Sequence, residues 1–94
     1  MKIGTHTKFM IEFIKDFIDG EIDSYFFELD YSAYVIEHFP YMEKENPELA
    51  ERFANTIDYV YEYYVDRGLP EEEFRVKMSK AFDQWLGKGF SFSS

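Results

Sequence analysis

Two histidines, His6 and His38, and the carboxylates spread along "ELAERFANTIDYVYEYYVDR" are the side chains of this 94-residue chain with the most chemical potential. A histidine beside a carboxylate can exchange protons near neutral pH, and Glu37–His38 places such a pair in direct succession. Iron-carboxylate bundles need Glu and His three residues apart on one helical face, so adjacent Glu37 and His38 have the wrong spacing. A histidine near a helix end is ordinarily a capping or solvated group. Asp58 and Glu62 are one turn apart, but an exposed stripe lacks the dry pocket in which paired acids divide into proton donor and acceptor. There is no phosphate-cradling loop and no nucleophile elbow; Gly4, Gly20, Gly68, Gly87 and Gly89 all fall where helices should begin or end. With no cysteine, neither a disulfide framework nor a thiolate metal site can form. The sequence therefore predicts no catalytic residue, no cofactor and no metal, and a chain that acts by binding.

What it could bind with is concentrated between Glu48 and Asp66. On a wheel of 100° per residue centred on Phe53, Leu49, Phe53, Ile57, Val60 and Tyr64 lie within about 40° of one direction, which is the expected core face. Opposite it, between about 140° and 220°, run Glu48, Glu51, Asn55, Asp58, Glu62 and Asp66, without one base. Tyr59 and Tyr63 flank this stripe at about 240° and 280°. Like charges three or four apart weaken a helix by a few tenths of a kcal/mol per pair, so helix stability alone does not select the pattern. Rigid aromatic rings beside charge are common material for binding hot spots. Glu48, Glu51, Asp58, Tyr59, Glu62, Tyr63 and Asp66 are accordingly the candidate partner-binding residues. The plainer alternative is a solvated acidic face with both tyrosines packed on a neighbouring helix.

Four helices are needed to position these residues. The spacing of Phe9, Met10, Phe13, Ile14, Phe17 and Ile18 predicts a first helix over 6–19, capped by Thr5 or Thr7 and stopped at Gly20. A second is expected over 24–39, capped by Asp23 or Ser24 and carrying Phe26, Phe27, Leu29, Ala33, Ile36 and Phe39. Pro40 should end it and leave "YMEKE" as a loop. "NPELAERF" is a strong start signal, with Asn46 as cap and Pro47 at the first helical position, and predicts a third helix over 47–67 that Gly68 closes. Leu69 can then fold back on Tyr64. "PEEEF" opens a fourth over 70–86, with Phe74, Met78, Ala81, Phe82 and Trp85 inward, followed by a tail over 87–94. No repeat or strand pattern is visible, so the expected fold is all-α, a single-domain antiparallel four-helix bundle over 1–94.

Charge narrows the partner. The formal net charge is −9 and it is uneven: residues 1–42 carry 8 acids and 3 bases, 43–73 carry 10 and 3, and 74–94 carry 1 and 4. Such a chain repels nucleic acid and suits a basic protein, whose approach the field would accelerate. No apolar run reaches the ~18 residues that a membrane helix requires, and the N-terminal segment has acids within its apolar run and no small-residue cleavage site. The expectation is a cytoplasmic protein that contacts neither membrane nor nucleic acid directly.

The segments "FIKDFIDGEIDSYFFELDY", "ELAERFANTIDYVYEYY" and "LPEEEFRVKMSKAFDQWL", in that order over residues 9–86, resemble the colicin D-type bacterial immunity proteins, a family that includes immunity proteins of contact-dependent inhibition systems. The likeness lies in a first helix running into Phe-Ile-x-Gly-x-Ile, a second opening on aromatic residues, an acidic third, and a fourth opening on glutamates. "EYY" is also similar to the adjacent tyrosines on the third helix of the immunity proteins of DNase colicins, another acidic four-helix family. The resemblance implies a four-helix bundle that neutralises a cognate basic nuclease toxin, often a tRNA-cleaving one, by covering its cationic channel with acidic side chains. The chain would be a monomer in a 1:1 complex, or a weak homodimer alone. The alternative is a small acidic prophage or regulatory helical protein that docks another protein, or itself, through an aromatic face.

Overall fold

The computed structural model describes residues 3–87 and contains four helices in chain order: α1 Thr5–Ile18, α2 Ser24–Glu45, α3 Pro47–Arg67 and α4 Glu71–Leu86, with no strand among the described residues. Each helix packs on its neighbours in sequence and α4 closes the ring against α1, which makes an all-α four-helix bundle. Of the expected tail over 87–94, residues 88–94, with Gly89, lie outside the described residues. The core is Met10, Ile11, Ile14 and Phe17 from α1; Phe27, Tyr31 and Met42 from α2; Leu49, Ala50, Phe53, Ile57 and Tyr61 from α3; and Phe74, Met78, Ala81, Trp85 and Leu86 from α4. Trp85 is fully buried, and its indole N–H donates to the Leu49 carbonyl at 3.1 Å, so its single polar atom is satisfied.

The largest departure from the sequence reading is in α2. Pro40 does not end the helix, which continues through "YMEKE" to Glu45, and the expected loop is its last turn. A proline within a helix removes one backbone donor and crowds the carbonyl four residues earlier, here that of Ile36. Both Ile36 and Pro40 lie on the exposed side of α2, so water can satisfy the carbonyl left without a donor. Meanwhile His38 and Met42 on the inner side are buried and hold the last turns against the bundle. The connection to α3 shrinks to Asn46, which closes α2 and caps α3 by accepting from the Leu49 N–H at 3.1 Å.

Helix starts are secured partly from other helices. Neither Thr5 nor Thr7 caps α1: Gly4 occupies the cap position and makes no side-chain bond. The carboxylate of Glu45, at the far end of α2, accepts from the backbone N–H groups of His6 and Thr7 at 2.9 Å each and from the Thr7 hydroxyl at 2.7 Å. A charge placed on the positive end of α1 thus also ties α1 to α2. Burial opposes the Glu45 charge, but these bonds outweigh it and lower its pKa. Gly4 matters here because a Cβ would run into the Glu45 side chain. At the opposite end of the molecule Asp23 caps α2, as expected, and Glu71 of α4 adds a second acceptor for the Ser24 backbone N–H and hydroxyl, at 2.8 and 2.7 Å. The bonds from Ser24, with help from Arg75, hold the Glu71 carboxyl down to about 2.

The remaining joints are also polar and specific. Arg75 donates to the Phe17 carbonyl at 2.8 Å and to the Ile22 carbonyl at 3.2 Å while its guanidinium lies over the Phe17 ring, closing the end of α1 against α4. Gly68 adopts φ 64° and ψ 48°, the left-handed conformation that ends α3, and Leu69 is half-buried against the core.

A candidate docking surface on α2 and α3

The structure rotates the inner face of α3 slightly from the wheel expectation. Tyr61 is buried, its ring stacked on Tyr31 with centroids 4.0 Å apart, whereas Val60 and Tyr64 are only half-buried. Tyr64 stacks on Phe74 at 3.8 Å and donates its hydroxyl to Glu28 at 3.0 Å. Tyrosine serves at these positions because the rings fill the core while the hydroxyls reach its edge.

The seven candidate residues divide into three environments. Glu48, Glu51 and Glu62 are exposed and make no ion pair among the described residues. Asp66 is exposed as well, its carboxylate 3.5 Å from Arg67. Asp58 turns toward α2 and accepts from the Tyr31 hydroxyl at 3.0 Å; burial of Tyr31, reinforced by this carboxylate, pushes the phenol far up. The two tyrosines lean the other way. Tyr59 is 66% exposed, and with Tyr63 it lines a groove between α3 and α4 whose far wall carries Lys77 and Lys80. The Lys77 ammonium and the Arg67 guanidinium sit 5.6 and 5.1 Å from the Tyr63 ring centroid. The carboxylates therefore lie toward α2 and solvent, and the tyrosines lie beside cations.

A large exposed apolar surface stands on α2, and it includes Phe26, Leu29 and Ile36 of the apolar residues that the sequence assigns to this helix. Apart from Tyr41, which is exposed beside His6, the helix's apolar residues form two sets. Phe27, Tyr31, His38 and Met42 are buried, with Tyr34, Val35 and Phe39 half-buried, while Tyr25, Phe26, Leu29 and Ile36 remain 65%, 55%, 58% and 77% exposed. The exposed set, extended by Ala33 and Pro40, falls within about 100° of arc, directly opposite the buried set. The signal was present as two interleaved series, 26-29-33-36 and 27-31-34-38. After Phe27 the inner series is built of Tyr and His, which hydropathy counts as polar, so hydropathy alone does not tell the core face from the outer one.

Acids border this stripe on both sides. Asp30 and Glu37 lie along its α1 edge. Toward α3, Val35 and Phe39 lead into a groove completed by Phe53, Ala54 and Asp58, and a second groove beside it has Phe39 and Ala54 as its floor and Glu43, Glu48 and Glu51 as its walls.

At the other side of α2, the Nδ1 atoms of His6 and His38 are 2.8 Å apart, Phe9 stacks on His38, and Tyr41 stacks on His6. Burial depresses the His38 pKa, opposed in part by Glu37, which lies 3.7 Å away. Among the described residues no three His, Asp or Glu side chains converge as a metal site would require, and no helix is long and apolar enough to cross a membrane. No protein-family model, curated protein or solved structure matches the chain.

Proposed function

We propose that this chain is a protein-binding inhibitor that captures a basic partner, and that the partner is a cationic nuclease toxin domain whose substrate channel the acidic face covers. The observation that carries the reading is the row formed by Glu48, Glu51 and Glu62. Three exposed carboxylates on one helix, with no cationic partner among the described residues, leave their attraction available to another molecule. Placed in a cleft evolved for phosphates, they would stand in for the phosphate charges and keep nucleic acid out. The resemblance of "ELAERFANTIDYVYEYY" and its neighbours to the colicin D-type immunity proteins supports a nuclease as the basic protein. Such an inhibitor acts by occlusion rather than catalysis, in the cytoplasm where the toxin meets its target.

The second reading, docking of another protein or of a second copy with acidity serving only to keep the chain dispersed, is favoured by the exposed stripe of Phe26, Leu29 and Ile36. Co-purification with a toxin domain encoded directly upstream of this chain's gene would separate the two. Under the inhibitor reading a 1:1 complex forms and nuclease activity is lost. A nuclease that stays active at saturating inhibitor would leave the second reading.

A further inference from the structure

The α2–α3 face combines an apolar ridge with charge on both flanks. Phe26, Leu29, Ala33, Ile36 and Pro40 repeat at intervals of three and four, the spacing by which one helix seats the ridge of another. From Phe26 to Ile36 the ridge is about 15 Å long at a rise of 1.5 Å per residue, and it passes over Phe39 into the groove floored by Ala54. Asp30 and Glu37 stand two turns apart on one flank, with Glu43, Glu48, Glu51 and Asp58 on the other. Five acids and a single lysine occur in the whole of α2.

We propose that this face receives an amphipathic helix of a partner protein, with apolar residues seated on Phe26, Leu29, Ala33 and Ile36 and with lysine or arginine along both flanks. The proposal rests on the capture of a basic partner and names the element that anchors it, moving the anchor from the Tyr59–Tyr63 groove, where Lys77 and Lys80 would repel such a partner, to α2. Charge decides among occupants. A second copy would present the same acidic borders on a chain of net charge −9, and an anionic membrane would be repelled in the same way. A helix with basic flanks pairs its charges with both borders and covers the ridge in one step.

The test uses three synthetic helices of about three heptads: leucine ridge with lysine flanks, leucine ridge with glutamate flanks, and serine ridge with lysine flanks. Binding to the full chain is read by fluorescence anisotropy. The leucine–lysine helix is expected to bind at least about tenfold more tightly than either of the others, and Leu29→Asp with Ile36→Asp to weaken it about tenfold or more. Both substituted residues are exposed, so the melting temperature should hold. Binding that survives Leu29→Asp with Ile36→Asp but fails with Glu48→Lys and Glu51→Lys would overturn the ridge as anchor while leaving a basic partner standing. Concentration-dependent dimerisation abolished by Ile36→Asp would overturn it in favour of a second copy. Failure of the leucine–lysine helix to bind would overturn it outright, whereas the inhibitor reading is judged separately on the nuclease.

Discussion

The imidazole rings of His6 and His38 face each other Nδ1 to Nδ1 at 2.8 Å, a contact between the start of α1 and the second half of α2 that is satisfied only when one of the two nitrogens carries the proton. Protonating both would set two N–H donors against each other. The groups around the pair are Phe9 and Tyr41, stacked on the rings, with Glu37 and Glu45 as the nearest carboxylates. Because burial lowers the His38 pKa below its ordinary 6.5, the unfolded chain binds the proton more readily than the folded one. Stability from this site is complete above 6.5 and declines as pH falls through that value toward the folded pKa. Glu71 behaves as a depressed carboxylate: its contribution is present above 4.5 and is lost as pH falls toward about 2. Thermal melts across pH 7 to 2 should show both declines, and His38→Phe should flatten the first while leaving the second.

Glu45 joins the end of α2 to the start of α1 through three hydrogen bonds. Glu45→Ala leaves both backbone donors and the Thr7 hydroxyl without this acceptor and should lower stability by about 0.5–2 kcal/mol, the usual range for a lost N-cap. Glu45→Gln keeps an acceptor and loses the charge, so it should fall between the two. Gly4→Ala should also destabilise, because the added Cβ meets the Glu45 side chain. Denaturant titrations of the three variants check the order.

Tyr61 and Tyr64 separate packing from surface on α3. Tyr61→Ala empties a buried site beside Tyr31 and should cost about 3 kcal/mol. Tyr64→Ala, at a half-buried site, should cost less, and Glu62→Lys no more than ~0.5 kcal/mol. Chemical denaturation gives all three values. A larger loss for Tyr64 than for Tyr61 would mean that the inner face of α3 is the one its hydropathy suggests.

Local signals with one meaning were legible in the sequence. Asn46–Pro47 and Gly68 mark the ends of α3 because cap chemistry and the left-handed conformation are decided within a few residues. What depended on distant partners was not. Pro40 is a helix breaker by its own chemistry, and the inward packing of His38 and Met42, with Ile36 and Pro40 on the exposed side, lets α2 run on. Thr7 is a plausible cap by type, yet a carboxylate 38 residues away does the capping. The acidic series on α3 was visible by spacing. That Tyr63 lies beside Lys77 and Asp58 beside Tyr31 depends on how α3 meets its two neighbours, which the wheel of one helix does not contain.

The most direct test of the inhibitor reading is the association rate with the purified nuclease toxin domain as a function of salt, for the parent chain and for Glu48→Lys with Glu51→Lys and Glu62→Lys. The account predicts association that slows clearly as ionic strength rises past ~0.15 M, where the screening length is about 8 Å, with dissociation changing less. The triple variant should keep its fold and lose about two or more decades of affinity together with protection from the toxin. A parent rate that is flat across salt, or a triple variant that still neutralises the nuclease, would contradict it.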